Sequence, residues 1–138
     1  MTAFFSKILV VFWTFMAIFL PARPDNVKVK VVPVTTESTA IVFECENNTR
    51  RIIDRPGVAS IEKKDENGNW QKLNINYIFT EEYYAIYPGK SAVDSASMVD
   101  ESFDAYKLQK GEYRITVTYV LHGENVTGSA SGEFTVSE

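Results

Sequence analysis

The sequence predicts an all-β domain, an antiparallel sandwich with Greek-key connections. Three observations carry that prediction. Segments such as "AIVFECE" and "RITVTYVL" alternate apolar and polar residues with period two, and turn residues separate them. No stretch after residue 26 shows a convincing helical period. Finally, the stretch "LQKGEYRITVTYVL" (108–121) sets Leu108, Gly111 and Tyr113 immediately before a long alternating strand. In Greek-key sandwiches a tyrosine at that point turns its ring into the corner, and its hydroxyl bonds backbone a few residues upstream. On this reading Leu108 caps the core, Gly111 permits the bend and Tyr113 locks it.

Residues 1–22 differ from the rest. One charge, Lys7, precedes an apolar run from Ile8 to Leu20. That run is short of the roughly 20 residues a bilayer span needs, and suits the core of a signal peptide. Leu20-Pro21-Ala22 ends in a small residue. The segment is expected to be a signal peptide or an amino-terminal membrane anchor, with 23–26 a short linker and 27–138 the sandwich domain. The location expected from it is secreted or extracytoplasmic, with membrane contact only through the first segment.

Within 27–138, "VKVKVV" puts Val27, Val29 and Val31 on one face, and "AIVFECE" does the same with Ile41, Phe43 and Cys45. "VASIEKKDENGNWQKL" (58–73) reads as a hairpin between Ile61 and Trp70, with Asn67-Gly68 as a two-residue turn. "SAVDSASMVDESFDAY" (91–106) is predicted to hold one short strand, a loop and a helical turn. A last hairpin brings out Tyr113, Ile115, Val117, Tyr119 and Leu121 on one face, turns at His122-Gly123-Glu124-Asn125, and returns with Phe134 and Val136 inward.

Charge and cysteine content narrow the possibilities. The chain has 14 basic and 18 acidic residues. Residues 1–22 contribute one of those bases and no acid, so the domain is more acidic still. Nucleic acid and anionic membrane surfaces are poor partners for such a chain. Cys45 is the only cysteine, which excludes an intrachain disulfide and leaves the domain to stand on its apolar core.

Taken together, "SIEKKDENGNWQKL", "YPGKS", "LQKGEYRITV" and the terminal "GEFTV" resemble the bacterial immunoglobulin-like domains of exported proteins, over roughly residues 27–137. The resemblance implies an immunoglobulin-like sandwich that binds, spaces or displays without catalysis. Cys45 stands where the first bridge cysteine of an antibody-type domain would be. Ile115, two residues after Tyr113, stands where the second would be, so an apolar contact is expected in place of the bridge.

A catalytic centre is hard to assemble from these residues. His122, the lone histidine, falls on a hairpin tip, where neither a dehydrated site nor an orienting partner is expected. Cys45 is predicted to face inward and to behave as a small hydrophobe. "DENGN" (65–69) lacks the ligand spacing of a calcium loop, and Asp100, Glu101 and Asp104 read as a solvated acidic loop. No metal or cofactor is expected. Asn47-Asn48-Thr49 and Asn125-Val126-Thr127 fit the N-glycosylation sequon, which means little in a bacterial protein.

The aromatic stretch "NYIFTEEYYAIYPGK" (76–90) is the richest candidate for contact. Exposed aromatic rings stack on sugars or anchor protein interfaces. Alternation leaves Tyr83 and Tyr87, or else Tyr84, facing solvent, with the others in the core. The expected function is therefore a non-catalytic module for protein binding or display at the cell envelope. Its contacts would run through 77–87 or through the hairpin tip with His122 and Asn125. The alternative is a carbohydrate- or cell-wall-binding module using Tyr83, Tyr84 and Tyr87. A lesser one is a secreted peptidase inhibitor acting through the 122–126 loop.

Overall fold

The computed structural model describes residues 26–78 and 84–138. The expected signal or anchor segment lies outside them. Among the described residues, ten strands form two packed sheets: β1 (Val27–Val31), β2 (Val34–Thr35), β3 (Ala40–Asn47), β4 (Ile53–Lys64), β5 (Trp70–Lys72), β6 (Asn76–Ile78), β7 (Ala85–Ile86), β8 (Ser91–Val99), β9 (Gly111–Leu121) and β10 (Val126–Ser137). The first sheet has the order β1-β3-β8-β6. The second runs β2-β10-β9-β4-β5, with β7 also paired to β4. All neighbours are antiparallel except β2 and β10. No described helix is long and apolar enough to cross a membrane.

The alternation read from the sequence becomes the core. Ile41, Phe43 and Cys45 from the first sheet are buried with Ile53, Ile61, Tyr113, Ile115, Val117 and Tyr119 from the second. Cys45 and Ile115 thus belong to one apolar core, and the free cysteine has no partner cysteine to bridge to. Val31 is only partly buried. Beyond it the chain passes through Pro33, leaves the first sheet and joins the second as β2. Small residues let the two sheets close together. A Cβ on Gly132 would lie 2.5 Å from the Val29 carbonyl oxygen of the first sheet. Within the second sheet, one on Gly128 would meet the ring of its cross-strand neighbour Tyr119 at 2.5 Å.

Two local expectations need correction. Segment 91–106 holds no helical turn: residues 91–99 form a single strand. Its ladder with β3 runs from Ala40↔Ser97 to Glu46↔Ser91. Serine, alanine and aspartate disguise it, because they favour strands weakly, and tertiary pairing overrides that preference. The 58–73 hairpin is closed by five residues and not by two, since Lys64 pairs with Trp70. Asp65 organises that loop. Its Oδ1 accepts from the Asn67 and Asn69 amides at 2.9 and 2.8 Å, while Gly68 takes the left-handed conformation at φ 82°. Asp100 plays the same part in the other acidic loop, accepting from Ser102 N and Asp104 N. These carboxylates shape turns, and among the described residues no three His, Cys, Asp or Glu side chains gather closely enough to hold a metal ion.

At the start of β9, Leu108 is 1% exposed and Gly111 has φ 156°. The buried Tyr113 donates its hydroxyl to the Gln109 carbonyl at 2.6 Å, and its ring stacks on Phe134 with centroids 5.6 Å apart. Trp70 lies outside the core. The Arg114 guanidinium sits 4.6 Å from its ring centroid and is itself held by Glu62 through two oxygens at 2.9 and 3.0 Å. Near them, Lys64, Trp70, Glu112, Glu133 and Thr135 border a shallow cavity of about 180 Å³.

Candidate functional site

At the far end of β9 the strand connections converge on Asn47. Residue 47 continues the inward parity of Ile41, Phe43 and Cys45, so its amide is driven into the domain and is fully buried. There it must find partners, because an unsatisfied buried amide costs about 1–3 kcal/mol. Its Nδ2 donates to the Arg51 and Ile86 carbonyls at 2.7 and 2.8 Å. Its Oδ1 accepts from Thr49 N and Thr49 Oγ1 at 3.0 and 2.6 Å. The Asn47 backbone bonds Lys90 O and Gly89 N. The side chain therefore ties Thr49, Arg51 and Ile86 to the end of β3, and the Asn47 backbone holds the 87–90 turn there.

The β9–β10 hairpin tip is tied to the same frame. The His122 amide donates to Ile52 O at 2.9 Å, and Arg51 pairs with Glu124 at 2.7 Å. His122 Nδ1 lies 2.6 Å from Asp54 Oδ2. An ionised carboxylate only accepts, so Nδ1 is the donor in this pair. Asp54 is 7% exposed, and its second oxygen is buried without a hydrogen-bond partner among the described residues. The expectation that the tip offers no orienting partner is thus corrected: β4 supplies one from 68 positions away.

The residues picked out in the sequence divide here. Tyr87 is 61% exposed on the 87–90 turn, and His122 and Asn125 are exposed on the hairpin tip at the same end. Asn125 adopts φ 50° to close that tip. Tyr84 is half-buried with its ring against the core, and its hydroxyl donates to Asp94 Oδ2 at 3.0 Å. Burial, then the Asp94 charge, holds that hydroxyl far above the ordinary tyrosine range. Tyr77 faces the sandwich seam and accepts a bond from the Ile61 amide on the other sheet. Tyr83 lies outside the described residues.

Cys45 has no means to act as a nucleophile. Its thiol is 1% exposed and is pushed up to about 12, first by burial and then by the charges of Asp94 and Glu44. Sequence reasoning missed Asn47, Thr49 and Asp54. The parity of β3 was a signal for Asn47, because it sends a polar side chain inward. Asp54 has no such signal.

The two asparagine sequons also separate. Asn47 has no exposed surface and both amide hydrogens engaged, whereas Asn125 is open to solvent.

Residues 24–133 match the family described as bacterial Ig-like domain. Among solved structures, the chain is similar to a FixG-related protein from Vibrio parahaemolyticus, at 11% identity and a TM-score of 0.43, over 83% of this chain and 99% of that one. No curated protein matches the sequence.

Proposed function

Because the chain belongs to the bacterial Ig-like domain family, we propose that it is a non-catalytic exported module. It binds or displays a protein partner at the cell envelope through the end of the sandwich formed by 47–54, 87–90 and 122–125. The observation that carries this reading is the placement of Tyr87, His122 and Asn125 at one end, on loops braced by Asn47 and Asp54. Rigid loops lose little entropy on binding, and an exposed tyrosine is a favoured interface anchor. The apolar run of residues 8–20 supports export. At the other end Tyr113 serves as a tyrosine corner, a folding device.

The test is cross-linking on intact cells with the full chain, beside a Tyr87→Ala, His122→Ala, Asn125→Ala variant whose melting is unchanged. A discrete cross-linked partner lost in the variant supports the reading. The same partner retained by the folded variant sinks it. Tyr87 is also exposed enough to stack on a sugar ring. Saturable sedimentation with cell-wall polysaccharide, lost on Tyr87→Ala, would favour the carbohydrate alternative over a protein partner.

A further inference from the structure

Strands at the rim of a sheet expose unpaired N–H and C=O groups, and proteins guard such edges with lysine, proline, bulges or brevity. Most rims here follow that rule. β1 carries Lys28 and Lys30 and ends near Pro33, while β5 and β6 have three residues each and β2 has two. The exception is β10. Because β2 pairs only with Val136 and Ser137, the stretch Val126–Thr135 has a described ladder partner on its β9 side alone. Its pairing with β9 runs from Val126↔Leu121 to Val136↔Gly111 without a register shift, so no bulge bends it away. The stretch contains no lysine, arginine or proline, and Glu133 is its one charge.

Its sequence is also symmetric. Gly128-Ser129-Ala130-Ser131-Gly132 reads the same in both directions. We propose that β10 pairs antiparallel with β10 of a second copy of this chain, about a two-fold axis at Ala130, joining the two second sheets into one. A strand that is its own mirror in sequence is matched by itself. In this register Gly128 faces Gly132, Ser129 faces Ser131, and Val126 faces Phe134. Glu133 faces Thr127, so the two glutamates are kept apart. The serines already sit on the outer face, where Ser131 shares a hydrogen bond with Thr116 at 2.9 Å. Facing hydroxyls form favourable cross-strand pairs, and facing like charges do not.

The test uses the full chain in mild non-ionic detergent, which keeps the apolar run of residues 8–20 from associating. Sedimentation equilibrium should show a concentration-dependent dimer. A Ser129→Lys, Ser131→Lys variant puts lysine opposite lysine on exposed positions, and should weaken association by about tenfold or more with the melting curve unchanged. Should that variant melt early, a Ser129→Cys, Ser131→Cys variant replaces it. On oxidation it should form an interchain disulfide that the parent, whose lone Cys45 is buried, does not form. A monomer at every concentration overturns the proposal, as does a dimer that ignores the lysines or fails to cross-link through the edge cysteines.

Discussion

The two ends of β9 are closed by different means. At Gly111–Tyr113 one hydroxyl reaches a carbonyl four positions upstream, and the flanking charges pair on the surface as Lys64–Glu112 and Arg114–Glu62. At Leu121–Asn125 the closure draws on β3, β4, the 87–90 turn and the hairpin tip. It engages a buried amide in four bonds and leaves one carboxylate oxygen of Asp54 unmatched among the described residues. The first end is a local device that any sandwich of this kind can use. The second is a polar assembly that desolvates more groups, with an exposed tyrosine beside it. Buried polar networks are sensitive to partial loss, because each orphaned group then carries its full desolvation penalty.

That contrast can be broken by measurement. Asn47→Ala should be the most damaging polar change, costing about 3–5 kcal/mol in urea unfolding, because the Arg51 and Ile86 carbonyls and Thr49 all lose their partner. Tyr113→Phe should cost less, about 1 kcal/mol, since Gln109 is exposed and its carbonyl can turn to water. If the tyrosine change proves the larger, the two ends have been ranked the wrong way round.

Between the ends, Cys45 contributes to the onset of alkaline sensitivity, below the range where the raised hydroxyls of Tyr77, Tyr84 and Tyr113 add to it. Its folded value of about 12 lies above the ordinary 9.0, so the unfolded chain releases the proton first. Stability is fully present below the ordinary value and falls as pH rises above it, by up to about 1.4 kcal/mol per pH unit for this group. Cys45→Ala should flatten that decline in a pH series of unfolding curves. Native protein at mildly alkaline pH should also resist a thiol reagent until it unfolds.

The smallest effect is expected near the Tyr113 end. The Asn69 amide, ahead of smaller contributions from the Gln71 side chain and the Asn67 and Gly68 amides, holds the exposed Asp65 carboxyl below its ordinary 3.8. Its contribution is present above that value and fades as pH falls through the lower folded one. Asp65→Ala should therefore lower neutral-pH melting slightly and flatten the acid dependence, with variant and parent converging at low pH.

The same contrast explains what could be read in advance. Tyr113 and Gln109 are near in sequence, so the spacing of Leu108, Gly111 and Tyr113 announced the bond. The core faces of β3 and β9 were legible because period two is a local property. The bond from Asn47 to Ile86 spans 39 positions and that from His122 to Asp54 spans 68. No window along the chain contains either pair. The 65–69 loop was misjudged for a related reason. Asn-Gly is a strong turn signal, but the Asp65 side chain offered the backbone a second set of acceptors and set the length of the turn.

The interior place of Asn47 has a consequence for how the protein is made. Asn47-Asn48-Thr49 matches the sequon read by oligosaccharyltransferase, which acts on chains still unfolded as they enter a eukaryotic secretory pathway. A glycan there would consume an amide hydrogen needed by Arg51 or Ile86 and demand space where the fold has none. In such a host, molecules modified at this position would fail quality control, while those that fold first would escape modification. Production in a bacterial host avoids the first fate. Thr49→Ala avoids it too, but removes the hydroxyl that donates to Asn47 and so weakens the assembly it was meant to protect.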